Sequence, residues 1–428
     1  MSIANIKTSI VVKVVIGILL IVAGVSIRPI IYLATVYAFI VILLERETES
    51  IICIMFAWLN VSTIFKFSID GTSVFTLLEL VVIAKLFLRK KKIDRNFLVI
   101  WIVYVFYLVP GVGSAYTDLV KAICMPPVIY LIASSINCES LRSVSIFYII
   151  GVFANSIIGL LRTSIPNMTE YATFKLQGYG YDATGAIIKI ERFCGLWGDP
   201  NYYSVHLIFV IAIVSVLFSR KDINGLIFYG VYIAMTLFGA MTGSKSFLLM
   251  LIIVTFLTII LLLKEKRYSH SFFFVFVISI GVILLLSGYI DVFSKILFRM
   301  ENLSDSGLST GRTEIWEEYY VLYNGNLQLT MFGSGLGRGF LLRVPHNTFL
   351  DVIILFGIVG AVIVFATLFV SVKQQKKLGK TKNCVPLLTL GGLYFFLSMF
   401  YSVDMPFQIA LAASFLYVSP TDDKLDII

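Results

Sequence analysis

The sequence predicts an all-α, polytopic integral membrane protein with about 12–14 transmembrane helices and two large outer loops. Of its 428 residues, 59% are hydrophobic and only 14% are charged. A soluble domain is nearer to roughly half apolar and a quarter charged. Many apolar runs approach the roughly 20 residues with which a helix crosses a bilayer. They lack the short alternating pattern of transmembrane β-strands.

The distribution of charge sets the expected orientation. The net charge is +9, and most Lys and Arg residues fall in short clusters between apolar runs, at 89–95, 219–222, 264–267 and 373–382. Positive residues collect in cytoplasmic loops. Both termini are therefore expected in the cytoplasm and both long loops outside. The same distribution argues against a nucleic-acid partner.

The first half of the chain reads as a series of spans. Lys7 and Lys13 precede an apolar run without a small-residue cleavage site, which indicates a retained first span rather than a signal peptide. N-terminal transmembrane helices are expected over 1–161 and a first outer loop over 162–199. The spans are placed at 10–26, 29–44, 51–66, 74–88, 97–113, 119–136 and 143–161.

The second half of the chain also reads as a series of spans separated by a long loop. Transmembrane helices are expected over 200–289, the second outer loop over 290–345 and C-terminal transmembrane helices over 346–428. Individual spans are placed at 200–218, 225–241, 246–263, 271–289, 346–370, 384–401 and 405–419.

The second outer loop carries one predicted helix, near 311–324. Ser309 or Thr310 is expected to cap its start, and Asn324-Gly325 to end it. Residues three or four apart on a helix lie on the same face. The residues that share a face here are Arg312, Trp316, Tyr319 and Tyr323.

His346 and Asn347 stand where the span at 346–370 leaves water. A lone histidine in such a place by default faces lipid headgroups. Its position beside Asn347 and after Arg338 and Arg343 favours a functional role, because neutral imidazole is suited to take a proton near pH 7. Arg338, Arg343 and Asn347 are accordingly predicted to contact substrate.

Arg192 and Arg312 are the arginines of interest in the long loops. Exposed arginines are usually solvated, but Arg192 precedes the run FCGLWGDPN, which enters the membrane, and Arg312 opens the aromatic-faced helix. The planar guanidinium suits phosphate oxygens, and an aromatic side chain such as Trp316 suits a sugar ring or a lipid interface. Asp199 is the expected N-cap of the helix that Pro200 begins.

Three ionisable residues fall inside predicted spans: Glu79, His206 and Asp351. Such groups are costly in a bilayer and usually face the protein interior or a cavity. Glu79 is interpreted as a structural partner of a polar group on another helix. Asp351 is left without an assigned role, although it shares a helix face with Asn347.

Several common sites are excluded. The glycine-rich run FGSGLGRG has no flanking βαβ unit, so a tight turn is preferred to a dinucleotide site or an anion nest. The outer loops contain no DxD motif and the chain no Walker loop. The five cysteines show no metal-ligand spacing. Neither a metal nor a cofactor is expected.

Four motifs occur in order between about residues 190 and 360: RFCGLWGDPNYYS, MTGSKSFLLML, GRTEIW and HNTFLDVIILFGIVG. Together they resemble the bacterial O-antigen ligase and polymerase superfamily. The last motif, from His346, resembles the HN-x9-G-x2-G signature of that superfamily. The second resembles its TGSRS turn, with Lys245 where arginine is usual. The N-terminal half matches only as a set of spans.

The resemblance implies a GT-C-like glycosyltransferase of the bacterial plasma (inner) membrane that works on the outer face without metal. By position, Arg192 and Arg312 would bind the donor diphosphate, and His346 would act on the acceptor hydroxyl. Asn201 and Lys245 would also contact substrate, with a purely structural role in the helix turn as the alternative for Lys245. The implied partners are an undecaprenyl-diphosphate-linked glycan donor and acceptor, membrane lipid, a chain-length regulator and a flippase.

Three functions remain open for this sequence. A polymerase moves a growing glycan from undecaprenyl diphosphate onto the next lipid-linked repeat unit, whereas a ligase moves it onto lipid A core. The number of predicted spans exceeds that usual for ligases, which favours the polymerase. A transporter or lipid-glycan flippase would show inverted repeats, broken helices or a charged central cavity. No clear repeat is visible, and the polar residues cluster at the predicted outer face.

Overall fold

The protein is described here by a computed structural model. The structure describes residues 7–90, 92–111, 113, 115–172, 175–181, 187–286, 311–373, 383–400 and 402–417. Ser309, Thr310 and most of the basic cluster at 373–382 lie outside these residues.

The described elements are helices, apart from one hairpin. Its strands are β1 (Lys175–Tyr181) and β2 (Ile187–Arg192), and two short 3₁₀ helices span Val109–Gly111 and Arg162–Ser164. The α-helices are α1 Thr8–Ser26, α2 Arg28–Leu44, α3 Thr48–Leu59, α4 Val74–Arg89, α5 Arg95–Leu108, α6 Tyr116–Ala133, α7 Cys138–Leu160, α8 Met168–Tyr171, α9 Pro200–Ser219, α10 Gly225–Met241, α11 Lys245–Lys264, α12 Tyr268–Leu286, α13 Arg312–Asn324, α14 Leu327–Phe332, α15 Thr348–Lys373, α16 Val385–Phe395 and α17 Met405–Tyr417.

The helices make this a helical membrane protein. Among the described residues, 6 helices are long and apolar enough to cross a membrane, namely α1, α6, α9, α11, α15 and the Glu139–Leu160 part of α7. Further apolar helices of 10–17 residues include α2, α3, α10, α16 and α17. The total of about 12–14 crossings stays a prediction.

Several expected boundaries are wrong. The span expected at 384–401 is helical only to Phe395, and the one at 51–66 ends at Leu59. In each case an irregular segment follows. The long loop at 290–345 contains α14, which the sequence analysis did not expect, and the loop at 162–199 contains the β1–β2 hairpin. The hairpin pairs Lys175 with Arg192 in antiparallel register.

Packing groups the chain into two compact units. The central unit comprises Met1–Asn5 and Tyr148–Leu308, and the flanking unit comprises Ile6–Phe147 and Ser309–Ile428. The division cuts α7 and differs from the expected division by order along the chain.

Helix α9 forms the core of the central unit. It packs against α10 and α11, and every residue from Tyr203 to Ser219 is buried. Such burial fits a helix that is apolar on all sides. Its start follows the prediction, because Asp199 accepts hydrogen bonds from the backbone N–H groups of Asn201, at 2.7 Å, and Tyr202, at 3.4 Å.

Helix α15 organises the site-bearing part of the flanking unit, where it packs against α5, α6 and α14. It is broken at Gly357, which has φ 65° and ψ −174°. In a continuous helix, each carbonyl accepts a bond from the N–H four residues on. The break at Gly357 interrupts this pattern, so the carbonyls just before it lose their helical N–H partners. These carbonyls belong to Ile354, Leu355 and Phe356.

Groups outside α15 bond all three of these carbonyls. The Ile354 carbonyl accepts from the Ser334 N–H at 2.9 Å and from the Tyr323 hydroxyl at 2.6 Å. The Leu355 carbonyl accepts from the Gly335 N–H at 2.9 Å. The Phe356 carbonyl accepts from the hydroxyl of Tyr107, on α5, at 2.6 Å. The glycine-rich run thus supplies backbone donors that α15 lacks at the break.

Close approach explains the glycines at this junction. A Cβ on Gly357 would clash with the backbone of Met331 and Phe332, and a Cβ on Gly333 would clash with the backbone of Leu355 and Gly357. Gly111 and Gly113 also approach this segment closely, at Gly335 and Gly337 respectively. The Gly337 N–H donates to the Gly111 carbonyl at 2.6 Å.

Replacing Gly357 by alanine is expected to destabilise the protein by at least about 3 kcal/mol. The substitution places a Cβ both in a glycine-only backbone conformation and against the backbone of α14. The measurement is equilibrium unfolding of the purified protein in detergent.

Gly391→Ala is the matched control, because a Cβ at Gly391, within α16, would meet nothing within 4 Å. That variant should be neutral or stabilised by up to about 1 kcal/mol. Equal loss in the two variants would contradict the account of the break.

Candidate functional site

Arg192 joins three distant segments of the central unit. It ends β2, and its side chain is only 3% exposed. The Arg192 Nε donates to the carbonyl of Thr242 at 2.7 Å, and one terminal nitrogen donates to Asn201 Oδ1 at 3.2 Å. The predicted residues Arg192 and Asn201 are therefore in direct contact.

The TGSKS turn completes this group, which we call the arginine cluster: Arg192, Asn201, Thr242, Ser244 and Lys245. Ser244 Oγ donates to Asn201 Oδ1 at 2.8 Å and is the N-cap of α11. Lys245 is the first residue of that helix and is partly exposed. Two cationic side chains beside a helix N-terminus make the local field favourable for an anion.

A stack of rings fixes the loop that leads into α9. Trp197 stacks on His206 with ring centroids 4.4 Å apart, and the Tyr148 hydroxyl lies 2.9 Å from His206 Nδ1. Asn155 Oδ1 accepts from the Leu196 N–H at 3.1 Å. His206, an ionisable residue inside a span, thus lies in a packed aromatic contact. Sequence reasoning missed Tyr148 and Asn155. A buried asparagine in the apolar α7 was the available signal.

In the flanking unit, α13 begins and ends close to the predicted positions. Its N-cap position is Gly311, with φ 77°, and the expected capping residues Ser309 and Thr310 lie outside the described residues. Its end at Asn324 is as expected. Tyr319 and Tyr323 are buried and form one cluster with Ile354, against which Trp316 also packs.

The aromatic face of α13 holds the segment that precedes His346. Trp316 Nε1 donates to the carbonyl of Pro345 at 2.7 Å. The Tyr319 hydroxyl donates to the carbonyl of Arg343 at 3.1 Å and accepts from the Leu342 N–H at 3.1 Å. Burial raises the pKa of Tyr319, so its hydroxyl stays protonated and can donate. The Trp316 indole N–H is used within the protein.

His346 is exposed and held in an uncommon backbone conformation. Its φ is 51°, a left-handed value that costs a non-glycine residue of order 1–3 kcal/mol and concentrates at functional sites. The next residue, Asn347, fixes the backbone on the C-terminal side of His346. Asn347 is 2% exposed, and its Oδ1 accepts from the N–H groups of Phe349 and Leu350 at 3.0 and 3.1 Å. Asn347 caps α15.

The first turn of α15 is also tied to the irregular segment after α16. The Thr348 hydroxyl donates to the carbonyl of Leu397 at 2.6 Å, and Ser398 Oγ donates to Asp351 Oδ1 at 2.7 Å. Asp351 is 1% exposed. This buried carboxyl group therefore has a specific partner. Together, these contacts hold in place the first turn of α15, which follows His346.

The other predicted arginines of the flanking unit differ in setting. Arg343 pairs with Glu318 at 2.8 Å, with side chains 59% and 47% exposed, which is a geometry worth about 0–1 kcal/mol. Arg338 is exposed on the glycine-rich run. Arg312 is half-buried, and burial lowers its pKa, although a guanidinium stays charged at neutral pH.

The glycine-rich run forms the predicted tight turn. Gly333, Gly335 and Gly339 all have positive φ. The N–H groups of Ser334, Gly335, Gly337 and Gly339 all donate to backbone carbonyls. These N–H groups are therefore engaged in the fold and do not form the alternative anion nest.

Glu79 lies apart from these residues. It is 3% exposed and lines a small apolar cavity with residues of α3, α4, α6 and α17. The positive charge of Lys121, on α6, acts on it. Among the described residues, no three His, Cys, Asp or Glu side chains are placed to hold a metal ion.

Comparison with known proteins identifies no relative. No family model, no curated protein and no solved structure matches the chain.

Tyr319→Phe is expected to speed hydrogen exchange of the Leu342 amide about fivefold, because one hydrogen bond is worth about 1 kcal/mol. Hydrogen–deuterium exchange with mass spectrometry of a peptide covering 340–346 measures this. Tyr320→Phe is the control, since Tyr320 is 69% exposed. Unchanged exchange in Tyr319→Phe would show that the hydroxyl does not hold the segment.

Proposed function

We propose that this chain is a metal-independent glycosyltransferase that polymerises undecaprenyl-diphosphate-linked repeat units of O-antigen or capsular polysaccharide. It would act on the outer face of the bacterial plasma membrane. The proposal rests on the four motifs and on what their residues contact.

One observation carries the proposal. Arg192, Asn201 and Ser244 are separated along the chain, yet they form one hydrogen-bonded group. They come from the first two motifs, RFCGLWGDPN and TGSKS. A buried guanidinium beside the start of α11 is a suitable place to stabilise negative charge, since fixed dipoles and charges act strongly where water is excluded. A donor diphosphate brings such charge.

The reaction requires little else from the protein. The bond between the anomeric carbon of the donor glycan and its phosphate oxygen breaks, and the diphosphate leaves with that electron pair. The acceptor hydroxyl oxygen bonds to the anomeric carbon, and its proton passes to a base. The diphosphate needs charge stabilisation, and base catalysis typically contributes about 10²–10⁴-fold.

His346 is the proposed base. It is exposed, and both sides of its backbone are fixed, by Trp316 through Pro345 and by the cap at Asn347. Arg312 and Lys245, both partly exposed, are proposed to bind the diphosphate. Arg192 is proposed to hold Asn201 in place and to add its charge from within the fold.

The remaining predicted residues have smaller proposed roles. Arg338 and Arg343 are exposed and are suited to attract an anionic glycan or headgroup at long range. The side-chain oxygen of Asn347 and the indole N–H of Trp316 are both engaged within the protein. Substrate contact by these two residues is limited to the Asn347 amide nitrogen and the half-buried Trp316 ring.

A ligase uses the same chemistry with lipid A core as the acceptor, and the described contacts do not distinguish the two. The broken helix α15 is a feature that a transporter would also show. In transporters, unwound backbone carbonyls bind the coupling ion. Here the carbonyls of Ile354, Leu355 and Phe356 are bonded by the protein itself, which favours the enzyme.

Cells that lack the gene are complemented with wild type, His346→Ala or Arg192→Lys at matched membrane levels, and their surface glycan is separated by gel. Both variants are expected to shift the ladder towards single repeat units. His346→Ala loses the base, with a rate loss of about 10²–10⁴-fold. Arg192→Lys keeps the charge but loses the fork that reaches both Thr242 and Asn201.

His270→Ala is the matched control, because His270 lies on α12 and its Nδ1 contacts the Tyr229 hydroxyl at 3.2 Å. It should restore the full ladder. A full ladder from His346→Ala would remove that residue from the mechanism. Long chains that accumulate on undecaprenyl diphosphate in the deletion strain would identify a ligase.

A further inference from the structure

We infer that α13 and α14 form a re-entrant element whose exposed apolar side chains contact the acyl chains of the bilayer. The second long loop would then dip into the outer leaflet, under the predicted orientation, rather than lie wholly in water. The inference is independent of the proposed function.

Hydrogen bonds fix the depth of this element against α15. Ser334 and Gly335 bond to the carbonyls of Ile354 and Leu355. Ile354 lies six residues beyond Thr348, where α15 begins, which is about 9 Å along a helix axis. The turn after α14 is therefore level with the second turn of the spanning helix α15.

Helix α13 descends beside α15 to the same level. Near its start, Trp316 bonds to the carbonyl of Pro345. Two turns later, Tyr323 bonds to the carbonyl of Ile354. The seven residues between these two contacts cover about 10 Å along α13, which is close to the roughly 9 Å from Thr348 to Ile354 along α15. The C-terminal end of α13 therefore lies at the level of Ile354 on α15.

Helix α5 gives a second estimate of the depth. From Arg95, in a basic cluster, it runs 14 residues to Leu108, and a 3₁₀ turn of 3 residues ends at Gly111. The path covers about 27 Å, slightly less than the roughly 30 Å of a hydrocarbon core. Gly111 bonds to Gly337, so the glycine-rich turn lies at or just inside the far edge of the hydrocarbon.

The exposed side chains on this element suit a lipid contact. Leu327 is 78% exposed, Val321 71% and Phe332 58%. Asn324 and Gln328 on the same segment are exposed as well, so the element fits the boundary between headgroups and acyl chains. Interfacial helices bury their apolar side chains about 5–10 Å below the headgroups, which agrees with the depth from α15. Because the element packs against the spanning helix α15, we expect the bilayer around α15 to cover these exposed side chains.

The test is nitroxide labelling of the full-length protein in lipid vesicles. Cys384, which is exposed, and Cys138 are first replaced by serine. Single labels are placed by Leu327→Cys and Phe332→Cys, with Glu314→Cys, in the first turn of α13, as the water-exposed reference. Collisions with oxygen, which concentrates in lipid, are compared with collisions with a water-soluble nickel chelate.

Labels at 327 and 332 are expected to collide more with oxygen than with the chelate, and the label at 314 the reverse. Access to the chelate at 327 and 332 equal to that at 314 would overturn the inference. So would immobile labels shielded from both reagents, because a protein partner would then cover the surface. If Phe332→Cys does not fold, Leu327→Cys and Val321→Cys decide the question, since both positions are highly exposed.

Discussion

A bilayer offers no water to an unpaired backbone carbonyl, and this constraint explains most of the geometry around His346. The break at Gly357 takes the usual partners from three carbonyls inside a spanning helix. An unsatisfied group there costs several kcal/mol. The cost is removed because the glycine-rich run, Tyr323 and Tyr107 bond to those carbonyls. A break of this kind persists only while the loop stays docked.

The docked loop in turn determines where the site residues lie. Helix α13 is fixed at its lower end by Tyr323 and at its upper end by Trp316. Between these contacts, Tyr319 holds the segment that leads to His346. The left-handed backbone of His346 is therefore set by bonded neighbours on both sides. In the central unit, the arginine cluster is also held by contacts between distant segments, since Arg192 joins the end of β2 to the starts of α9 and α11.

Sequence reasoning reached the elements with strong local signals. Asp199 and Pro200 marked the start of α9, and Asn324-Gly325 marked the end of α13, because capping and stop signals act within a few residues. The glycines at 357 and 360 were recognised as a motif, but the sequence did not show why glycine is needed there. Gly357 is required by its contact with Met331 and Phe332, and such tertiary contacts leave no periodic trace. The pairing of Gly111 with Gly337 was missed for the same reason.

The candidate site also has features that the sequence could predict and features that it could not. The chemistry of Arg192, Arg312 and His346 could be argued from residue type and position. The contacts that hold them could not. The sequence placed Thr242 and Ser244 in a motif and Tyr319 on a helix face, but it did not show which residues they meet. Asn347 illustrates the limit. Residue type indicated a substrate contact, whereas the structure shows a buried helix cap. A short polar residue before an apolar helix fits a cap as well as a ligand.

Purified protein in vesicles tests the central claim most directly. Lipid-linked repeat units are extracted from the deletion strain and added with EDTA, and the glycan products and released lipid diphosphate are measured. A polymerase predicts a ladder of glycans on lipid, with one undecaprenyl diphosphate released per added unit and no dependence on divalent cations. Intact repeat units moved between leaflets, without release of diphosphate, would contradict the account and identify a transporter.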